Sequence, residues 1–458
     1  MVLSALPVPT LLTERAAADP GHEALVVAGV GSLTLAEWDE RSDAAARGLL
    51  ERGLRRGDRV ALVFAARDWI DYAVTWMAVL KAGGVAVPLS DRLAEPELAA
   101  LVRDCGAAMT LREAVEGPPG PAGVDLDPLA PAQILYTSGT TGRPKGVTAS
   151  HANLSSPPVH PKRRPFAHSR HLVHAFPIGT NAGQVMLMHA LTAAPTVVTT
   201  PLFTPARFAG LIQAHAAGTV FVVPAMAIEL LGARVHERFD LSSVLLLGSA
   251  AAALPPSVAA ELAAAFPNAT VANYYTSTEA APAQTIMIYD PERPGALGRP
   301  AGGSRLKVDE DGEVWLKAAA HPRAYLGGDR DTFRDGWVRM GDLGYLDDEG
   351  YLYLLDRESD VIKSGAFKVS TLQVEAALHE HPAVAEASVF GIPHPVMGMA
   401  VAAAVVARAP LSLPDVRAFL AVRLARHELP TRLLTVDALP RNTSGKVVKT
   451  ELRRMAEE

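Results

Sequence analysis

The run from residue 59 to residue 90 constrains the fold more than any other stretch of this chain. "RVALVFA" (59–65) is a continuous apolar segment of strand length, the pattern of a strand buried on both faces. "DWIDYAVTWMAVLKAGG" follows, with Ile70, Ala73, Val74, Met77 and Leu80 at helical spacing and Gly83 and Gly84 to stop it. "VAVPLS" then reads as a second short strand. Strand, helix and strand joined by short connections imply parallel strands covered by helices.

The pattern returns at "TVFVVPA" (219–225) and "SVLLLGSA" (243–250), two buried strands, with a helix predicted over "PPSVAAELAAAFPN" up to Pro267. Near residue 300 the texture changes. "SRLKVDEDGEVWLKA" and "GYLDDEGYLYLLD" each place an acidic-glycine turn between alternating segments, the mark of antiparallel hairpins. After "LLDRESDVIKSG" a separate unit is expected. It holds a helix near "TLQVEAALHEHP", strands near "AEASVFGIP" and "AVAAAVVA", a helix near "LPDVRAFLAVRLARH" and a basic tail. The predicted class is α/β: a large domain of parallel and mixed sheets covered by helices with a small antiparallel region (1–356), then a small α+β domain (357–458). A chain of 458 residues is too long for one compact core. "EGPPGPAG" (116–123) reads as a surface loop.

Composition excludes several classes. The net charge of −6 lacks the surplus of Lys and Arg that binding a nucleic-acid backbone requires. The single cysteine, Cys105, rules out an internal disulfide or a cysteine metal cage, which suits the cytoplasm, and it reads as an apolar filler. The N-terminus has no basic segment before its apolar residues and carries Pro7 and Pro9, so no secretory signal is expected. Apolar runs such as "MGMAVAAAVVA" fall short of the roughly 18 residues of a membrane span.

"YTSGTTGRPKGV" (136–147) is the densest chemical signal. It leaves the apolar "AQIL", reads as a loop from a strand end, and precedes "HANL", which could start a helix. Glycines expose backbone N–H groups, hydroxyls add donors, and Lys145 adds charge, a nest suited to phosphate. The common nucleotide loop wants Gly-Lys before Ser or Thr, whereas Lys145 follows Pro144.

The string "TSGTTGRPKGV" instead resembles the phosphate loop of the adenylate-forming superfamily: acyl-CoA synthetases, peptide-synthetase adenylation domains and luciferases. "LKAGGVAVPLS", "NYYTSTEA" (273–280), "GWVRMGDLG" (336–344), "DRESDVIKSGAFKVSTLQVE" (356–375) and "LPRNTSGKVVK" (439–449) resemble further family segments in the same order. The resemblance implies that Thr137, Ser138, Gly139, Thr140, Thr141, Gly142 and Lys145 hold the phosphates of ATP. Glu279 would ligate magnesium, and Thr278 would help hold the phosphate. Tyr275 would lie along adenine, with Asn273 and the Gly248-Ser249-Ala250 turn lining the base. Asp342, assisted by Arg357, would accept the ribose hydroxyls. Lys446 would contact the acid and the α-phosphate. In the second half-reaction the C-terminal domain would rotate about residues 357–360 and bring in Lys363 and Gly365. The expected activity is conversion of a carboxylic acid to an acyl-adenylate, then transfer to a thiol, either CoA or a carrier protein's phosphopantetheine arm supplied in trans. The alternatives are transfer to an amine or other non-thiol acceptor, activation of an unusual oxyanion, or a nucleotide-binding protein without catalysis.

Four positions depart from the family pattern. Thr276 stands where glycine is usual, Met340 where threonine is usual, Ser359 at the expected hinge, and Thr180 where many acyl-CoA synthetases carry histidine. Thr180, Asn181 and Gly183 are expected to line the acid pocket. Asn181 would either bond a polar substituent of the substrate or cap the backbone. No Asp, Glu, Lys or Arg lies between Arg170 and Arg207. A substrate ammonium therefore lacks a partner there, and an acid with an uncharged body, aromatic among the candidates, is favoured.

Overall fold

The computed structural model describes residues 6–137, 144–156, 164–329, 331–365, 367–442 and 445–457. The segment that opened the sequence reading folds as strand Arg59–Phe64, helix Trp69–Lys81 and strand Val85–Ser90, with the two strands parallel. The helix is apolar on nearly every side and buried at all but Ile70 and Asp71, which places it between layers rather than on a surface. Its polar tips bind both neighbours. The Trp76 indole donates to Gln133 Oε1 at 2.9 Å, and the Tyr72 hydroxyl donates to Gln184 Oε1 at 2.8 Å. Lys81, at its end, is 6% exposed and bridges Asp39 and Asp43 of helix Leu35–Glu51.

Two sheets sandwich these helices. A six-stranded sheet runs in the order Ala324–Tyr325, Lys145–Ser150, Pro131–Thr137, Val85–Ser90, Arg59–Phe64, Met109–Leu111. A nine-stranded sheet has six parallel strands at its centre, among them Thr219–Val222, Leu246–Ser249 and Thr270–Tyr275. One apolar core joins residues of both sheets, including Val60 and Leu62 with Val197 and Val220. A third, antiparallel sheet contains both hairpins expected near residue 300, Arg305–Val308 with Glu313–Lys317 and Trp337–Leu346 with Leu352–Arg357.

Strand Leu352–Arg357 ends in the turn of residues 358–360, and strand Ile362–Ser364 then enters a separate five-stranded sheet. That sheet is built on the long pair Val384–His394 and Gly398–Ala407, covered by helix Thr371–His379, and has its own apolar core.

Some predicted elements change. The strand expected over 243–250 is shortened to Leu246–Ser249. The helix expected over "LPDVRAFLAVRLARH" stops at Leu420, where Arg423 folds back to pair with Glu380 and lies over the Phe419 ring. The "EGPPGPAG" loop is not a free surface turn. A Cβ on Gly48 would lie 2.2 Å from the Glu116 carbonyl, and one on Gly117 2.1 Å from the Ala44 carbonyl, so two glycines let loop and helix touch. Cys105 is buried in the core of the six-stranded sheet. Among the described residues no helix is long and apolar enough to cross a membrane.

Candidate functional site

Ser138, Gly139, Thr140, Thr141 and Gly142 lie outside the described residues; their frame does not. Strands Pro131–Thr137 and Lys145–Ser150 pair antiparallel with Thr137 opposite Lys145, so the loop joins the arms of a hairpin. The short helix His151–Leu154 does form, but only after that second strand. Lys145 lies over the Tyr325 ring, 4.7 Å from its centroid, and 3.8 Å from Asp329.

Beside the hairpin, Glu279 Oε1 accepts hydrogen bonds from Tyr325 (2.9 Å) and from Thr137 Oγ1 (3.3 Å). The metal expected here is tested by the donors available. Among the described residues no group of three or more His, Cys, Asp or Glu could cage an ion. Magnesium on a nucleotide takes one or two carboxylates plus phosphate oxygens and water, so the lone Glu279 fits that chemistry.

The residues expected at the nucleoside lie at the carboxyl ends of the parallel strands, where open α/β sheets present their ligand crevices. Ser249 Oγ and Asn273 Oδ1 are buried with no hydrogen-bond partner among the described residues. Unsatisfied groups of this kind are rare and point to a missing partner. Gly248 is required by packing, since a Cβ there would meet Phe221 Cε1 at 2.5 Å and Tyr274 Cε2 at 3.0 Å. The Ala250 N–H donates to the Val222 carbonyl. Asp342, 4% exposed, already has a partner at each oxygen: the Tyr275 hydroxyl at 2.6 Å and Arg357 Nε at 3.1 Å. Arg357 thus stands beside Asp342, where the sequence places it as an assistant, and Tyr275 shares the same carboxylate. Burial and then Asp342 push the Tyr275 phenol upward. Burial works against the Arg357 charge, but Asp342 and Asp360 outweigh it and the pKa rises.

Lys446 arrives from the small lobe on a tight turn. Its N–H donates to Asn442 Oδ1 at 3.0 Å, Gly445 takes a φ of +82°, and Arg441 donates to the Gly445 carbonyl while pairing with Glu386. The residue as a whole keeps exposed surface, but its ammonium is hemmed in. Burial and then Arg357 lower its pKa, with Asp342 and Glu279 opposing.

Helix Asn181–Thr192 supplies the remaining wall. Thr180 is its N-cap, accepting from the Gly183 N–H at 3.0 Å and donating to the Pro177 carbonyl at 2.8 Å. Gly183 is forced by closeness, because a Cβ would lie 2.1 Å from the Pro177 carbonyl. These two expected pocket residues build the cap. Asn181 instead offers Oδ1 to Arg323 at 3.1 Å. Next to Gly248, Phe166, His189, Phe221 and Tyr274 form an aromatic cluster with centroid separations of 5.0 to 5.7 Å along the chain Phe166–His189, Phe166–Phe221 and Phe221–Tyr274. Burial lowers the His189 pKa to about 4, leaving it neutral.

The departures have local explanations. Thr276 Oγ1 donates to the Ala283 carbonyl at 2.6 Å, and its φ is not positive, so glycine is not needed there. The Met340 sulfur receives the Ser277 hydroxyl and packs in a small core. Ser359 Oγ donates to Asp360 Oδ1 at 3.3 Å within its turn. Lys363 and Gly365 are exposed on the hairpin of Ile362–Ser364 with Phe367–Val369.

Arg323 is the residue that sequence reading missed. It is 7% exposed and donates from Nε to Asn153 Oδ1 (2.8 Å) and from Nη1 to the Thr278 carbonyl (2.8 Å) and Asn181. Burial lowers its pKa to about 10, with Glu279 opposing. Nothing in "AHPRAYLGG" marks it; only the meeting of three distant segments does.

A family model described as AMP-binding enzyme matches residues 12–121 and 111–325, and one described as AMP-binding enzyme C-terminal domain matches 373–446. The 2-succinylbenzoate–CoA ligase of Bacillus velezensis is 31% identical across 98% of this chain and 98% of its own. The structure of ATP-bound MatB from Rhodopseudomonas palustris superposes with a TM-score of 0.85 at 28% identity, covering 99% of each chain. O-succinylbenzoate coenzyme A synthetase from Bacillus subtilis, solved with ATP and magnesium ion, gives a TM-score of 0.82 at 26% identity over 99% of this chain and 100% of that one.

Proposed function

We propose, from the premise that this chain belongs to the AMP-binding enzyme family, that it joins a compact carboxylic acid with an uncharged body to coenzyme A. The reaction is that of an AMP-producing acid–thiol ligase. A carboxylate oxygen attacks the α-phosphorus of ATP, the bond to the β-phosphate oxygen breaks, and pyrophosphate leaves. The thiol then attacks the acyl carbonyl and AMP departs.

The first step brings two anions together, so the protein must place positive charge where negative charge develops. Lys446 supplies it at the α-phosphate. Thr137, Lys145 and the loop between them hold the outer phosphates, and Thr278 lines the same side. Glu279 would hold magnesium, which when bound would supply further charge neutralisation. Asp342 with Arg357 fixes the ribose, Tyr275 flanks the base, and Ser249 and Asn273 provide its unpaired edge groups. For the second step the small lobe turns about residues 357–360, Lys446 withdraws, and the hairpin bearing Lys363 and Gly365 takes its place.

One observation carries this reading: Thr137, at the root of the 136–147 loop, donates to Glu279, while Asp342 holds Tyr275 and Arg357, the last strand residue before the turn into the small lobe. The substrate class rests on the aromatic cluster beside Gly248 and on the absence of Asp, Glu, Lys and Arg between residues 170 and 207. A neutral His189 and aromatic edges leave no counter-ion for an ammonium. A cytoplasmic setting supplies the ATP, magnesium and CoA consumed.

A pyrophosphate-release screen over aryl, short aliphatic and amino acids, with and without CoA, tests the proposal. Release with aryl or short aliphatic monocarboxylates, and AMP formation that requires CoA, is expected. Preference for amino acids, or AMP formation with an amine in place of the thiol, would contradict it.

A further inference from the structure

The guanidinium of Arg323 is buried at the centre of the large lobe, and each of its hydrogen-bond acceptors is neutral: Asn153 Oδ1, Asn181 Oδ1 and the Thr278 carbonyl. It forms no ion pair among the described residues; Glu279 acts on it only from beyond contact. A buried cation without a paired anion is costly, and such costs are kept where function needs the charge. Its cage is fixed in turn. The Asn153 amide donates to the His321 carbonyl at 2.8 Å and the Ala281 carbonyl at 3.1 Å, which orients Oδ1 toward Arg323. Asn181 begins the helix on the acid side, while Thr278 adjoins Glu279 on the phosphate side. Arg323 is therefore the clamp between the two places where anions must meet.

We propose that Arg323 is a positioning residue for acid activation: it sets Asn181 and the Thr278–Glu279 turn in mutual register and lends an unpaired positive charge to the entering carboxylate. This rests on the ligase reading above. The planar fork matters as much as the charge, because one guanidinium reaches three acceptors in fixed directions and an ammonium cannot.

The test compares Arg323→Met, Arg323→Lys, Asn181→Ala and the corresponding double variants. It reads acid-dependent pyrophosphate release, thioester formation from supplied acyl-adenylate, and thermal stability. Arg323→Met should lower kcat/KM for the acid at least about tenfold while KM for ATP stays within about twofold. Thioester formation should stay within about threefold of the unmodified enzyme, since the role belongs to the first step. Arg323→Lys should recover part of kcat but leave the acid KM raised. Combined with Asn181→Ala, either substitution should cost less than the sum of the single effects. Equal losses in both half-reactions, additive effects with Asn181→Ala, or lowered stability with unchanged kinetics would overturn the role. Should Arg323→Met not fold, the pairing of Arg323→Lys with Asn181→Ala still decides. An unmodified enzyme without acid-dependent pyrophosphate release would sink the ligase reading and this role together; an active enzyme indifferent to Arg323 would sink the role alone.

Discussion

Lys446 works only while charged, and its surroundings make that charge conditional. Burial and Arg357 lower its pKa from the ordinary lysine value of 10.5. The proton is therefore lost at a lower pH than from a free lysine, and acid activation should decline with rising pH on that earlier limb. Lys446→Arg keeps a charge that does not titrate in this range; it should be slower at neutral pH but show no alkaline limb. A pH profile of pyrophosphate release for both proteins checks this, and an unchanged limb in the variant would assign the titration elsewhere. Lys446, Glu279 and Asp342 stand out in the sequence because each sits inside a segment that resembles a family motif. Arg323 does not, since its meaning arises only when residues 153, 181 and 278 converge on it.

At the scale of elements, the proposed acid pocket depends on how helix Asn181–Thr192 begins. Its cap needs Gly183, where the Pro177 carbonyl would lie 2.1 Å from a Cβ. Gly183→Ala should destabilise the protein by about 1–3 kcal/mol through overpacking. It should also raise KM for the acid, because Asn181 shifts with the cap, whereas KM for ATP should hold. Thermal melts with steady-state kinetics check both parts, and a variant with native melting and acid KM would show the contact to be unimportant. The capping bonds of Thr180 could not be read from the sequence, which supplies position but not side-chain direction. Strand Lys145–Ser150 escaped notice for a different reason. "KGVTAS" is short and half small residues, and it becomes a strand through pairing with Pro131–Thr137 on one side and Ala324–Tyr325 on the other. The continuous apolar runs at 59–64 and 85–90 needed no such partner to be recognised.

Over the whole molecule, the two-lobe plan was readable from the change of texture near residue 300 and the new mixed unit after it. The layering was not, because burial of helix Trp69–Lys81 between two sheets depends on strands from both halves of the large lobe. That burial has a consequence for stability. His151, His174, His189 and His379 are lowered by burial from 6.5 to about 4, 3, 4 and 4. Below pH 6.5 the unfolded chain binds protons that the folded chain refuses, so stability is present above that pH and falls as pH drops toward 4. The thermal midpoint should decline across this window; a flat profile would mean these rings are protonated in the folded state. The most direct test of the account as a whole uses Lys446→Ala in both half-reactions. Acid-dependent exchange of pyrophosphate into ATP should fall at least about a hundredfold, the typical loss of one transition-state donor, while thioester formation from supplied acyl-adenylate is largely spared. Equal loss in the two steps would contradict the division of labour between the lobes.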